Sequence, residues 1–388
     1  MGKASSHYDL IIIGAGALGS FHAYHACKKG LKVLVLEKDL QPQEATVRNF
    51  GQVVPSGMSR GKWQHYGRRS LEIYKILQSK FDISVRQNGS VYIASDETEM
   101  ALIHELRDIN RKENYPSMLL KKEDCLEKYP GLKESYCKGA LFFPEEVTVE
   151  PDKMIHAVIA YMREQLSLTY KPNTLVSFCD NVNGKCIVED NLGNAYTSDK
   201  IIICNGRDFR NLYPEVFYKS DIEVSKLQMM RTVPQADYTL KGSILTGLSI
   251  RRYESFHECP SFEKLKATEI EERFKKWGIH ILFKQATDGS IIIGDSHEYA
   301  DAKEQDKLGF DVNQEINEII IEEAKRIFDL PDWTMSRYWN GYYGQSKSHD
   351  VFKKEVVPDV HIVTAIGGKG MTGSAGLAEE TIESLYGK

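Results

Sequence analysis

The chain has 388 residues, with 50 Lys and Arg against 55 Asp and Glu, a formal net charge of −5 at pH 7. That length holds two or three core-forming units. The mild acidity excludes nucleic acid as a main partner, since no basic excess exists to displace counterions, and no apolar run is long enough to span a bilayer. The first residues carry no charged-then-apolar signal. Residues 1–6 fit a loose myristoylation pattern, but the first strand begins almost at once and leaves little tether. Seven dispersed cysteines without a Cys-x-x-Cys pair predict a reducing, cytoplasmic setting and no zinc ribbon or dithiol site.

Residues 8–13 form a short apolar run that leads into Gly14-x-Gly16-x-x-Gly19, and residues 32–36 form a second that ends in Glu37. This spacing predicts strand, helix and strand, with a dinucleotide at the helix start. Gly14 allows the tight turn out of the strand. Gly16 leaves room for a pyrophosphate against the backbone, and Gly19 lets the helix pack close to the sheet. Ala17 and Leu18 open the first turn, where free N–H groups and the helix dipole favour phosphate. Glu37, with Lys38 beside it, stands where a carboxylate accepts hydrogen bonds from the adenosine ribose. The motif alone does not separate FAD from NAD.

Residues 45–57 lack periodicity and read as a loop. Apolar spacing predicts helices over 60–81 and 97–114, flanking a hairpin at 84–94 that turns at Asn88-Gly89, and a third helix over 154–166. Strands follow at 175–179 and 186–189 with a short third partner, then a wholly apolar strand at 200–205 that reads as buried and parallel. Gln228-Met229-Met230-Arg231 lies on a further strand. Antiparallel strands are expected at 243–252 and 279–294, the latter turning at Asp288-Gly289, and a helix at 314–328. A buried strand at 360–366 runs into Gly367-Gly368-Lys369-Gly370-Met371-Thr372, a turn whose N–H groups make an anion nest, and a final helix covers 376–385. Parallel-type strands at the start, middle and end with antiparallel material between them predict an α/β, Rossmann-type nucleotide domain of 1–82, 148–218 and 335–388. A substrate domain of antiparallel sheet, 83–147 and 219–334, is inserted into it.

The fingerprint and the C-terminal glycine turn are joined by further stretches: Arg48-Asn49-Phe-Gly51, Val149-Glu-Pro151, Asn205-Gly206, Gly294-Asp-Ser-His297 and Trp339-Asn-Gly341. Together these resemble the FAD-dependent D-amino-acid oxidase superfamily, which includes glycine oxidase and monomeric sarcosine oxidase, over nearly the whole chain. The resemblance implies a glutathione-reductase-like FAD-binding domain. It implies that the loop with Arg48, Asn49 and Gly51 threads beneath the isoalloxazine and that Val176 contacts adenine through its backbone. It also implies that Asn205, Gly206 and Gly341 lie along the cofactor, and that Gly368, Lys369, Gly370, Met371 and Thr372 edge the ring.

Three departures from that pattern shape the functional expectation. Relatives with covalent flavin use a cysteine near the C-terminus; none lies beyond Cys259, so noncovalent FAD is expected. Tyr343 takes the place of the arginine that clamps the substrate carboxylate in the amino-acid oxidases, and tyrosine offers no charged fork. Ile292 takes the place of the lysine that promotes reaction with oxygen in sarcosine oxidases, which leaves oxygen or another electron acceptor open. Arg-Asn-Phe-Gly, Gly-Asp-Ser-His and Gly-Lys-Gly-Met-Thr in combination resemble a bacterial branch linked to aminophosphonate breakdown. The expected reaction is oxidation of an amine C–N bond, with hydride passing to flavin N5 and water hydrolysing the imine, on a small-molecule N-alkyl amino acid or aminophosphonate. The alternatives are a plain α-amino acid substrate, an NAD-linked enzyme and a noncatalytic flavin-binding protein. Candidate substrate-side residues are Arg48, Tyr253, His280, Tyr343 and Lys369, with His297, and with Lys347 and Arg337 as further cationic anchors. No metal site or Ser-His-Asp constellation is expected, because the cofactor carries the chemistry.

Overall fold

The strand His7–Ile13 is apolar on both faces, and Leu10, Ile11 and Ile12 are completely buried at the centre of a sheet. In the computed structural model, which describes residues 7–268 and 270–387, it pairs in parallel with Val33–Leu36 on one side and Ala195–Ile203 on the other. Thr169–Lys171 and Val360–Thr364 extend the parallel set outward, and Phe352–Val357 closes one edge antiparallel. The hairpin of Val176–Val182 and Lys185–Asp190 joins the first half of Ala195–Ile203. The short third strand and the apolar strand at 200–205, expected as two, are therefore one strand with two sets of partners. The myristoylation pattern at 1–6 lies outside the described residues.

Helix Ala17–Lys28 packs between Pro151–Gln165 and Gly370–Tyr386 on one face of this sheet, where Phe21, Ile155, Val158 and Ala378 are fully buried. Gly14 turns the chain at φ +98°, and a Cβ there would stand 2.3 Å from the Cys204 carbonyl oxygen. A Cβ on Gly19 would stand 1.9 Å from the Gly14 oxygen, so helix and strand touch backbone to backbone.

The second sheet is built on Ile222–Thr232. It pairs along its length with Met335–Ser346, from Ile222 opposite Ser346 to Arg231 opposite Arg337, and on its other edge with Glu298–Asp301 and Ile291–Gly294. The sheet continues through Leu282–Gln285, Ser243–Leu245, Ser90–Ala94, Gly139–Phe143 and Met118–Lys121. The turn at Asp288-Gly289 joins two paired antiparallel strands as expected.

Two local expectations fail. Residues 84–94 are not a hairpin: Arg86 bridges to Thr148, while Ser90–Ala94 pairs with Gly139–Phe143 and Ser243–Leu245, so its partners are remote in sequence. Residues 243–252 are not one strand. The strand stops at Leu245, and Thr246 N–H donates to Ser249 Oγ at 3.0 Å, capping the short helix Gly247–Ile250. The final helix also begins six residues early, at Gly370, so the last half of the glycine turn is its first turn.

Candidate functional site

A cavity of about 770 Å³ lies at the carboxyl ends of the parallel strands, where open α/β sheets bind ligands. One end is formed by the turns after His7–Ile13, Val33–Leu36 and Ala195–Ile203. The other reaches the second sheet at Leu227, Met229, His280, Leu282 and the strand end around Tyr343.

The fingerprint end is built as the spacing predicts. Gly14, Gly16, Ala17, Leu18, Gly19, Glu37 and Lys38 all face the cavity. The Glu37 carboxylate accepts from Ala15 N–H at 2.8 Å and Asp39 N–H at 3.1 Å. Burial raises its pKa, and those two N–H groups oppose the rise. Gly16 has no side chain to cap the helix start, and Thr46 Oγ1 accepts from Ala17 N–H there at 2.9 Å. A second helix start, at Lys369 and Gly370, has no cap from its own N-cap side chain and faces the same cavity. Two positive helix ends on one cavity suit a ligand with a diphosphate and an electron-rich ring.

Between these ends runs the loop of Arg48 and Asn49. Asn49 spends its side chain on the loop, donating to the Ala45 and Thr46 carbonyls at 2.9 and 2.8 Å and accepting from Gly51 N–H at 2.7 Å. Arg48 donates to the Gln43 carbonyl at 2.8 Å and, across the cavity wall, to the Asn340 carbonyl at 3.3 Å. Trp339 Nε1–H returns a bond to the Arg48 carbonyl at 3.2 Å, and Gly341 sits beside that oxygen. Gly51 is the exception among the expected cofactor residues: it does not line the cavity. Its backbone turns toward helix Pro151–Gln165, where a Cβ would stand 2.2 Å from the Val149 carbonyl oxygen.

Val176, Asn205, Gly206, Gly341, Gly368, Lys369, Gly370, Met371 and Thr372 all border the cavity. Val176 already gives its carbonyl to Asn211, at 2.5 Å. Thr372 Oγ1 accepts from Val54 N–H at 3.1 Å and pins the helix start to the preceding loop. Asn205 donates to the Asp208 carbonyl, while its Oδ1 is buried without any partner. A buried unpaired acceptor on the wall is what a bound donor would satisfy. The two helix starts, the orphaned Asn205 oxygen and the Glu37 carboxylate together fit an FAD laid along this cavity.

The far chamber holds Tyr253, His280 and Tyr343, as expected, together with two residues that sequence reasoning did not single out, Arg252 and Asp295. The Tyr253 ring stands edge-on to His280, with centroids 5.3 Å apart. A Cβ on Gly368 would stand 3.5 Å from the Tyr343 hydroxyl, so that tyrosine reaches the glycine turn. Lys369 and Lys347 are occupied: Lys369 by Glu254 and Asp350, Lys347 by Asp301 and Glu223. Arg337 does not line the cavity; it lies over the Trp339 ring, 5.5 Å from its centroid.

Arg252 is different. It is exposed to the cavity, and the one hydrogen bond of its side chain among the described residues is to the Tyr299 hydroxyl, at 3.3 Å. Burial works against its charge, but Tyr299, Tyr343 and Asp295 outweigh that and raise its pKa. Asp295 and His297 follow the strand Ile291–Gly294, and His280 precedes Leu282–Gln285. His280 Nε2 is 2.9 Å from Ser249 Oγ, and its Nδ1 is 3.4 Å from Asp295 Oδ1. Burial lowers the pKa of His280 against the pull of Asp295 and holds that of His297 at about 3, so both imidazoles are neutral at pH 7. Burial raises the Asp295 pKa, but His297, His280 and Arg252 outweigh it and leave the group ionised.

No group of three or more candidate metal ligands occurs among the described residues, and no helix there is long and apolar enough to cross a membrane. All seven cysteines are buried and free.

A sequence model of the family described as FAD dependent oxidoreductase (DAO) matches residues 9–384. The chain is 22% identical over 349 residues to one component of the opine oxidase of Rhizobium meliloti, covering 86% of this chain and 81% of that one. It is 23% identical over 385 residues to a glycerol 3-phosphate dehydrogenase of Caloramator mitchellensis, covering 98% and 72%. Its fold superimposes on the crystal structure of glycine oxidase from Geobacillus kaustophilus with a TM-score of 0.77 at 15% identity, over 98% of this chain and 95% of that one. The chain belongs to the FAD-dependent oxidoreductase family, and its cofactor is FAD.

Proposed function

We propose that this FAD-dependent oxidoreductase oxidises the C–N bond of a small amine that also carries an acidic group, of the N-alkyl amino acid or N-alkyl aminophosphonate class. The observation that carries the reading is Arg252, a cavity guanidinium with no carboxylate within ion-pair distance among the described residues. It supplies from another element the charged fork that Tyr343 cannot. A guanidinium binds carboxylate or phosphonate oxygens in pairs.

When bound, the flavin supplies the hydride acceptor. The chain's own residues do the positioning. Glu37, the helix start at Gly16 and Asn205 hold the nucleotide half. The loop at Arg48 and the helix start at Gly370 flank the ring. Arg252 fixes the acid, and Tyr253, Tyr343 and Leu282 exclude water around the reacting carbon. Cys204 is the cysteine on the cavity wall and is buried beneath the nucleotide end, which supports a noncovalent FAD that acid releases.

A second reading, a phosphate-bearing alcohol, draws on the alignment to glycerol 3-phosphate dehydrogenase, since Arg252 suits that anion as well. The test is anaerobic mixing of the purified yellow protein with N-methyl-2-aminoethylphosphonate, sarcosine, D-alanine and glycerol 3-phosphate, followed by flavin absorbance. Bleaching by the phosphonate or sarcosine supports the secondary-amine reading. Bleaching by D-alanine alone points to a plain amino acid, and by glycerol 3-phosphate alone to the alcohol. A flavin that none reduces points to a noncatalytic protein.

A further inference from the structure

The chamber contains a negative charge as well as a positive one. Asp295 is 4% exposed, and no hydrogen bond from the described residues reaches its Oδ1; His280 Nδ1 stays at 3.4 Å, too far for a full bond. An ionised carboxylate left in that state costs several kcal/mol unless something pairs with it. The elements packed around it do not. His297 Nδ1 is 3.9 Å away and bonds the Gly278 carbonyl at 3.1 Å. Ser249 engages the far side of His280. Tyr253 and Tyr343 offer only neutral hydroxyls. Among the described residues Arg252 is the cation that acts on Asp295, and it sits on the opposing element without an ion-pair contact to it.

An anion alone would be drawn to Arg252 and repelled by Asp295. A zwitterion meets both. We propose that Asp295 is the subsite for the substrate's ammonium group, so that the enzyme takes its amine from water in zwitterionic form, with the acid on Arg252 and the nitrogen on Asp295. This rests on the amine reading above. Asp295 is a positioning residue: it holds the nitrogen that must lose its proton to the solvent in the cavity before the adjacent C–H bond can break. Charge in the chamber is then balanced, one cation and one anion from the protein against one of each from the ligand.

Two unreactive probes separate the charges: 2-aminoisobutyrate, a zwitterion with no C–H bond beside its nitrogen, and pivalate, which replaces that nitrogen by carbon. Binding to the holoenzyme is read by perturbation of the flavin spectrum and by calorimetry. Wild type should bind 2-aminoisobutyrate at least about tenfold more tightly than pivalate. That preference should fade as pH rises past the ammonium pKa, while pivalate affinity does not follow it. Asp295→Asn should make the two probes equal, and Asp295→Glu should keep part of the preference. Equal binding of both probes by wild type, or an undiminished preference in a normally flavinated Asp295→Asn, overturns the proposal. If wild type prefers the zwitterion but no amine bleaches the flavin, the amine reading fails while the charge subsite stands.

Discussion

Lys369 Nζ lies 2.7 Å from a carboxylate oxygen of Glu254, which ties the glycine turn to the segment that carries Arg252 and Tyr253. Asp350 closes on the same nitrogen at 2.5 Å. Burial opposes the Lys369 charge, but Asp350 and Glu254 outweigh it and raise its pKa. One ammonium thus joins three segments at the cavity rim and is not free to bind a substrate anion.

Removing that cation leaves two carboxylates facing each other beside the flavin site. Lys369→Met should lower holoprotein stability by about 1 kcal/mol, since the groups are partly exposed, and should weaken FAD binding. Lys369→Arg should retain most of both. Thermal unfolding and fluorescence titration of the apoprotein with FAD measure the two effects. A Lys369→Met protein that melts and binds FAD like wild type would show that the bridge has no such role.

The nucleotide half was legible because its signals are local. An apolar run, three spaced glycines and an acid are adjacent in sequence, and Gly14, Gly19 and Glu37 do in space what their spacing asks. The substrate half was not legible, for a reason that can be traced to Thr246 and Ser249. Residues 243–252 have strand-like composition, but the Thr246–Ser249 cap breaks the strand after Leu245. The resulting helical turn carries Arg252 and Tyr253 into the chamber. Read as a strand, Arg252 was one of two adjacent arginines with no distinguishing feature. Asp295 was hidden differently: Gly-Asp-Ser-His was legible as a motif, while the residues whose charge and burial set its state, His280 and Arg252, come from other segments. The hairpin at 84–94 failed for the same cause, because Ser90–Ala94 finds its partners at Gly139–Phe143 and Ser243–Leu245.

A buried carboxyl beneath the site gives a pH signature. Glu146 is fully buried and accepts from Ser56 N–H at 2.7 Å, Ser56 Oγ at 3.0 Å and Tyr115 OH at 2.5 Å, as well as from Ser90 Oγ. Burial nevertheless raises its pKa from 4.5 to about 7, against those bonds. A carboxyl raised in the folded state binds its proton more tightly there. Its contribution to stability is full below 4.5 and is lost as pH rises through about 7, on the order of 3 kcal/mol in all. The stability advantage of wild type over Glu146→Gln should therefore shrink between pH 4.5 and 7.5. His22 and His297, each held at about 3 by burial, titrate with the opposite sign but are common to both proteins. Denaturant unfolding of the pair across that range tests it, and a difference that is flat with pH would place the Glu146 pKa near its ordinary value.

The role given to Arg252 makes a prediction about substrates rather than about the enzyme's integrity. Arg252→Met removes a guanidinium whose one hydrogen bond among the described residues is to Tyr299, so folding and FAD content should stay near wild type. The kcat/KM for an acidic amine should fall about 100-fold, the equivalent of about 3 kcal/mol for charge-assisted bonds in an enclosed site. Arg252→Lys keeps the charge but loses the fork, and should lie between the two. An amine of similar size without the acid should react with wild type and variant alike, slowly in both. Steady-state kinetics with the matched pair of amines decides the matter. Equal losses on both amines would mean that Arg252 shapes the chamber rather than reads the anion, and the acidic group would then have to be sought on another wall of the cavity.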